Sequence, residues 1–318
     1  MAFLSSRRGR ARLAPELDDA GLGRLLKSLQ AATGAGTIAT TDLYMAQVSR
    51  LLDQGGADWD RRTHRLSVLA HCLSASHGPR AWATREPRNA SALVLSAWAQ
   101  LERGRSLGRP QDAVGIIGSC LRAAELAPKD PTPWVVLLGL SRLERRSQPE
   151  VFSLWHEVLT RDRWNRAAYL SMLRFLGPQE MGSRVQVLDF VDAVRAGAPA
   201  DAPCAATELT AEVLHYQSVL ARGGVEALMA RTHWTHFSTA QALGRAVCTW
   251  GRPGAVRHAA AVADLNLLAY ALMAAERRVE ARPVFEVING TVAAWPWSAG
   301  GDPVSEFERA RIRSGAGV

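Results

Sequence analysis

His233 and His236, three residues apart in the run His233-Trp234-Thr235-His236, are the pair best spaced for metal chemistry in this chain. Side chains at i and i+3 share a helix face and can ligate one ion, with His215 or Glu212 as further donors. No third ligand stands at a diagnostic spacing, so an exposed or capping pair near a helix end is the plainer account. Neither a metal nor any other cofactor is expected. His64 and His71, seven apart, also share a face, but Cys72 and the nearby leucines mark an amphipathic core helix there. Nucleophilic catalysis finds no Gly-x-Ser-x-Gly elbow and no glycine-rich phosphate loop, and Gly21-Leu22-Gly23-Arg24 lacks a preceding strand. Asp162, Asp189, Asp192 and Asp264 stand singly, where capping or solvation accounts for them. The residue types point away from catalysis.

Charge and sulfur narrow the setting. Cys72, Cys120, Cys204 and Cys248 form no Cys-x-x-Cys pair, and each falls in an apolar helical stretch where a free thiol packs as a small hydrophobe. The opening residues contain no secretory apolar core, so reduced thiols in the cytoplasm are expected. Of the 38 basic residues only Lys27 and Lys129 are lysines, a bias most simply produced by a GC-rich bacterial genome. That bias weakens the formal charge of +8 as a sign of nucleic-acid binding, since most arginines alternate with acids, as in Arg142-Leu143-Glu144-Arg145-Arg146. Arg7, Arg8, Arg10 and Arg12 form the one cluster and read as a solvated arm, so nucleic acid is not the expected partner. No apolar run reaches the ~18–20 residues of a membrane span.

The elements that must position any site are helical. The 318 residues are 47% hydrophobic and rich in Ala, Leu and Arg, which excludes wholesale disorder and an all-β fold. Periodicity predicts a weak helix from about Pro15 to Ala31, a linker at 34–36, and a helix capped by Thr41-Asp42 that carries Tyr44, Val48, Leu51 and Leu52. A further helix begins near Asp60, with Gly78-Pro79 as its terminator. Four junctions then align at Asn89, Asp130, Asn165 and Asp201, spaced by 41, 35 and 36 residues. Each cap precedes a helix, and a second helix follows a polar break. Trp134, Trp155 and Trp164 are expected in the core of these pairs, and Trp295-Pro296-Trp297 as a plug beyond the last one. Helix pairs of this length cannot bury their apolar faces alone and must stack.

These junctions resemble those of the tetratricopeptide family. Leu126-Ala127-Pro128-Lys129-Asp130-Pro131-Thr132-Pro133-Trp134 is similar to the family's junction, in which Pro ends one hairpin and a large residue opens the next. Leu268-Ala269, Leu272, Ala281 and Phe285 fall where the family places Leu-Gly, Tyr, Ala and Phe, whereas Glu276 stands where it prefers Gly. The resemblance spans about residues 89–290 and implies an all-α, right-handed α-solenoid of helix-turn-helix repeats. It also implies a groove lined by the first helix of each hairpin, which singles out Arg142, Arg174 and Asn266.

The expected organisation is a flexible basic arm with a weak helix over 1–36, a helical region over 37–88, the repeat array over 89–297, and a flexible tail over 298–318 with one short helix. The expected function is a non-catalytic scaffold or adaptor of the cytoplasm whose groove receives a protein or peptide. The alternative is an enzyme or small-molecule binder with a pocket of His215, His233, Trp234 and His236.

Overall fold

The computed structural model describes residues 9–32, 38–251, 254 and 256–316, so Arg7, Arg8 and the linker at 34–36 lie outside the described residues. The chain is all-α, 70% helical, with seventeen α-helices among the described residues. It forms two compact units, one of Asp19–Asp192 and one joining residues 9–18 to 193–316. These divisions fall elsewhere than the boundaries read from the sequence. Among the described residues no helix is long and apolar enough to cross a membrane.

The first unit holds α1 (Ala20–Ala32), α2 (Ile38–Asp53), α3 (Trp59–Cys72), α4 (Gly78–Arg85), α5 (Ala90–Ser106), α6 (Ala113–Leu126), α7 (Thr132–Leu143), α8 (Gln148–Leu159), α9 (Arg166–Phe175) and most of α10 (Arg184–Gly197). Thr41-Asp42 is not a cap, because α2 already runs through it. Gly78-Pro79 opens α4 instead of closing α3, since a proline in the first helical turn forfeits no intrahelical hydrogen bond. Helices α5 and α6 pack as a hairpin, as do α7 and α8, and α5, α7 and α9 are successive neighbours. Asn89 and Asn165 cap α5 and α9, accepting from the amides of Ala92 at 3.2 Å and Ala168 at 3.0 Å. The fourth junction differs: no helix starts at Asp201, and α11 (Thr207–Arg222) begins only after a turn.

Asp130 does more than cap. Its Oδ1 accepts from the Thr132 amide at 2.8 Å and the Thr132 hydroxyl at 2.6 Å. Its Oδ2 takes the Arg62 Nε from α3 at 2.9 Å, and Arg62 Nη2 donates onward to Ser91 on α5 at 3.1 Å. Both partners are buried, with side chains 9% and 2% exposed. One residue along α3, Thr63 lies 3.5 Å from the Asn165 amide nitrogen. Helix α3 therefore crosses the starts of α5, α7 and α9. Asp19 ties α1 to the same helix, accepting from the Leu22 amide at 2.9 Å and from Arg65 Nε at 2.7 Å.

All three repeat tryptophans are half-buried. Trp155 meets Phe152, Tyr169 and Phe190 edge-on, each at 5.9 Å between centroids. The guanidinium of Arg161 lies 4.9 Å from the Trp134 ring, and that of Arg163 lies 4.8 Å from the Trp164 ring.

The second unit contains β1 (Arg12–Leu13), α11, α12 (Gly224–Met229), a 3-10 turn (Ala230–Thr235), α13 (Phe237–Trp250), α14 (Ala261–Ala274), α15 (Arg278–Ile288), β2 (Thr291–Val292), α16 (Ala294–Trp297) and α17 (Pro303–Arg313). Helix α14 is buried on every side and forms a hairpin with α15, turning at Glu276 with φ of 57°. That left-handed residue stands where the resembled family prefers Gly, which adopts it without a Cβ penalty. Residues 9–18 are docked, not a free arm: β1 pairs parallel with β2, the Arg12 and Ala14 amides donate to Gly290 and Val292 at 3.0 Å, and Ala14 is fully buried. The C-terminal segment is docked as well, through the fully buried Phe307 of α17. Trp297 packs on Tyr270, Phe285 and Phe307 at 5.4, 6.1 and 5.5 Å, with Pro296 buried beside it. Of the cysteines, Cys120 and Cys204 are buried and behave as hydrophobes, whereas Cys72 and Cys248 are exposed.

Removing one partner of a buried ion pair strands the other's charge. Asp130→Ala should therefore lower unfolding free energy by about 3–5 kcal/mol in urea titrations, and Arg62→Met with Asp130→Leu by much less. Burial alone would raise the Asp19 carboxyl, but hydrogen bonds from Arg65 and Leu22 and the charges of Arg65 and Arg61 hold it below its ordinary value. A depressed carboxyl adds stability above its unfolded pKa and loses it as pH falls through the folded pKa. Stability measured by denaturant midpoint from neutral pH into that acid range should thus fall less steeply in Asp19→Asn than in the parent.

Candidate functional site

Three successive helices end on the same residue type at the same place. Arg105, Arg142 and Arg174 are the penultimate residues of α5, α7 and α9. A cation in the last turn faces the partial negative charge of the unpaired carbonyls, so each helix gains from its arginine before any partner is considered. Their surroundings differ.

Arg142 is committed to the fold. Its side chain is 11% exposed, and Nε donates to Glu180 Oε2 at 3.0 Å, Nη2 to Glu180 Oε1, and Nη1 to the Ser171 hydroxyl at 2.9 Å. Arg105 donates to Glu102 Oε1 at 2.5 Å and lies across α7 at Gly139, where a Cβ would fall 2.7 Å from Nη2. Arg174 is exposed and makes no hydrogen bond or ion pair with any described residue. Burial nevertheless pushes the Arg174 guanidinium below its ordinary pKa, with Arg142, Arg105 and Arg166 pushing the same way and Glu180 opposing. Arg105 is lowered too, by burial first, with Arg142 adding to it and Glu102 opposing. An arginine still holds its proton at neutral pH under such shifts. Arg174 is nonetheless exposed at the surface, and an arriving anion would offset the like charge around it.

The remaining candidates separate. Asn266, on α14 in the other unit, is fully buried. Its Nδ2 donates to Val262 and Thr291 carbonyls at 2.8 and 3.0 Å, and its Oδ1 accepts from the Ala293 amide at 3.3 Å and Trp297 Nε1 at 2.9 Å. Those four bonds are the capacity of an amide side chain, so Asn266 does not face a groove. His215, His233 and Trp234 do come together. His233 Nε2 lies 3.3 Å from Glu212 Oε2, with side chains 12% and 9% exposed, and the Thr239 hydroxyl donates to the same oxygen at 3.4 Å. The rings of His215, Tyr216 and Trp234 surround His233 at 5.5, 5.9 and 5.0 Å. His236 is apart from this group, exposed at the cap position of α13. Among the described residues no three His, Cys, Asp or Glu side chains are placed to hold a metal ion.

Two features escape the sequence reading. His258 Nε2 contacts Asp264 Oδ2 at 3.0 Å, both buried, while Nδ1 accepts from the Ala260 amide at 3.2 Å. The ring thus sits between the Ala260 amide and Asp264 at the start of α14. No pattern in the sequence marks that pair. Arg105 did carry a signal: it precedes Arg142 and Arg174 by near-repeat intervals at equivalent ends of successive helices.

Comparison with protein-family models, curated proteins and solved structures finds no match for this chain.

Arg142 and Arg174 should part in stability measurements. Arg142→Ala is expected to cost about 1.5–3 kcal/mol, the range for hydrogen bonds to charged groups. Arg174→Ala should stay within about 0.5 kcal/mol of the parent, as a substitution away from buried structure does.

Proposed function

We propose that this chain is a non-catalytic adaptor of the cytoplasm that receives an acidic segment of a partner protein. In this reading its hairpins stack as a right-handed solenoid of tetratricopeptide-like repeats, and the row Arg105, Arg142 and Arg174 lies along the receiving face. The observation that carries it is Arg174, exposed near the end of α9 with no ion pair among the described residues, where the corresponding Arg105 and Arg142 each have one. Glu102 and Glu180 offset Arg105 and Arg142. A carboxylate supplied by a partner completes the third pair, with the fork geometry that suits Arg. Adjacent helices present these cations in sequence, which favours an extended chain over a compact anion.

Fluorescence anisotropy with a labelled peptide containing a run of Glu and Asp tests this. Binding should weaken as salt rises, because exposed charges are screened. It should be lost in Arg174→Glu, while Arg166→Gln and a scrambled neutral peptide serve as comparisons. Equal affinity for a single-stranded oligonucleotide would point to general polyanion binding and overturn the adaptor reading.

The second reading, an enzyme or small-molecule binder around His215, His233 and Trp234, is favoured by the buried contact of His233 with Glu212. Stoichiometric zinc in the purified protein, lost in His233→Ala, would support that reading over the adaptor.

A further inference from the structure

A cavity of about 200 Å³ opens in the second unit between the end of α10, the loop that follows, α11 and α13. Small side chains, Ala198, Ala205, Ala242 and Ala246 among them, line much of it, with Val194, Leu209 and Trp250 as the larger apolar groups. The space is a half-open cleft with a buried floor at Leu209, Ala242, Ala246 and Trp250. Here long charged side chains span the mouth. Glu208 on α11 accepts Arg245 Nε at 3.2 Å and Nη2 at 2.6 Å from α13, and Arg195 on α10 approaches the same carboxylate at 3.6 Å. The forked pair fixes α11 against α13 at the rim, where neither can collapse inward.

The chemistry of the space is two-sided. Its depth is methyl groups and one indole face. Of the three charged groups that line it, two are guanidiniums and one is a carboxylate. An apolar cavity of about 150 Å³ is large enough for benzene, so this one admits a single ring or a short branched alkyl group with a small head. Water filling it would number roughly six or seven molecules at about 30 Å³ each. Most would lie against methyl groups with few hydrogen-bond partners, and an apolar body that displaces such water binds favourably. The head must be anionic to meet Arg195 and Arg245. Glu208, in the same rim, repels a dianion more than a monoanion, which selects a carboxylate over a phosphate.

We infer that this cavity binds a small monocarboxylate, its ring or short alkyl body against Trp250 and Ala246 and its carboxylate at Arg195 and Arg245. The site lies in a different unit from the arginine row and does not depend on the adaptor reading. Neither does it use the histidine cluster, none of whose members lines the cavity.

Isothermal titration calorimetry on the full chain, with 3-phenylpropionate and its neutral counterpart 3-phenylpropanol as probes, tests the assignment. The acid should bind saturably at one equivalent, and the alcohol at least about tenfold more weakly, since a hydrogen bond to a charged group is lost. Ala246→Trp fills the space and should abolish binding of both probes. If circular dichroism shows that this variant does not fold, Ala198→Phe, nearer the rim, should do the same. Arg195→Gln leaves the Glu208–Arg245 fork intact and should bring the acid close to the alcohol while the alcohol is unchanged, a shift in selectivity that a merely structural arginine would not produce. Absence of saturable binding by the acid, equal binding of acid and alcohol by the parent, or undiminished acid binding in the folded filled variants would each overturn the proposal.

Discussion

The buried pair of Arg62 with Asp130 governs the first unit. A guanidinium and a carboxylate taken from water cost several kcal/mol each unless every lone pair and proton is met. Both Asp130 oxygens and two Arg62 donors are met: Asp130 satisfies the start of α7 with one oxygen and Arg62 with the other, and Arg62 spends a further donor on Ser91 of α5. The pair is therefore a constraint on geometry more than a source of net stability. It requires α3 to lie across the helix starts, and Thr63 beside Asn165 extends the same contact to α9.

That constraint divides the two ends of α5, α7 and α9. At their N-terminal ends Asp130 and Asn165 are buried and Asn89 is half-buried, and these residues serve internal packing. Their C-terminal ends carry Arg105, Arg142 and Arg174, where a cation complements the helix dipole and the charge remains within reach of solvent. Two of these cations are balanced by acids of the same unit, from Glu102 one turn back and from Glu180 in the loop after α9. The third has no such neighbour within ion-pair distance.

In the second unit the organising residue is Asn266. An amide at the centre of an otherwise apolar helix is tolerable only when all its hydrogen bonds are made, and the groups that make them belong to β2 and to Trp297. The segment after α15 is thereby fixed over α14, and β2 in turn receives the backbone of residues 12–14. Chain ends that look polar and loose along the sequence become part of a core. The same unit leaves a gap lined by alanines of α13 and of the segment that precedes α11, with Glu208, Arg245 and Arg195 paired at its edge.

The sequence by itself determined the helices and the hairpins. Periodic apolar residues, Asn caps and proline breaks depend on neighbours within a few positions, so α5 to α9 were legible, and so was the burial of Leu268, Leu272, Ala281 and Phe285. Arg142 and Arg174 entered as candidates only through the groove that the tetratricopeptide resemblance implies. Tertiary structure decided the rest. Only folding brought Arg62 to Asp130 across 68 residues, or His258 onto Asp264 at 3.0 Å. It also turned Asn266 inward: on a helix buried all round there is no polar face, and periodicity cannot tell which side of it meets solvent. The docked strand at Arg12–Leu13 is two residues long, too short for any alternation to register, and is held by backbone hydrogen bonds that no side-chain pattern encodes. Local order is written in adjacent residues, whereas burial depends on what arrives from far along the chain.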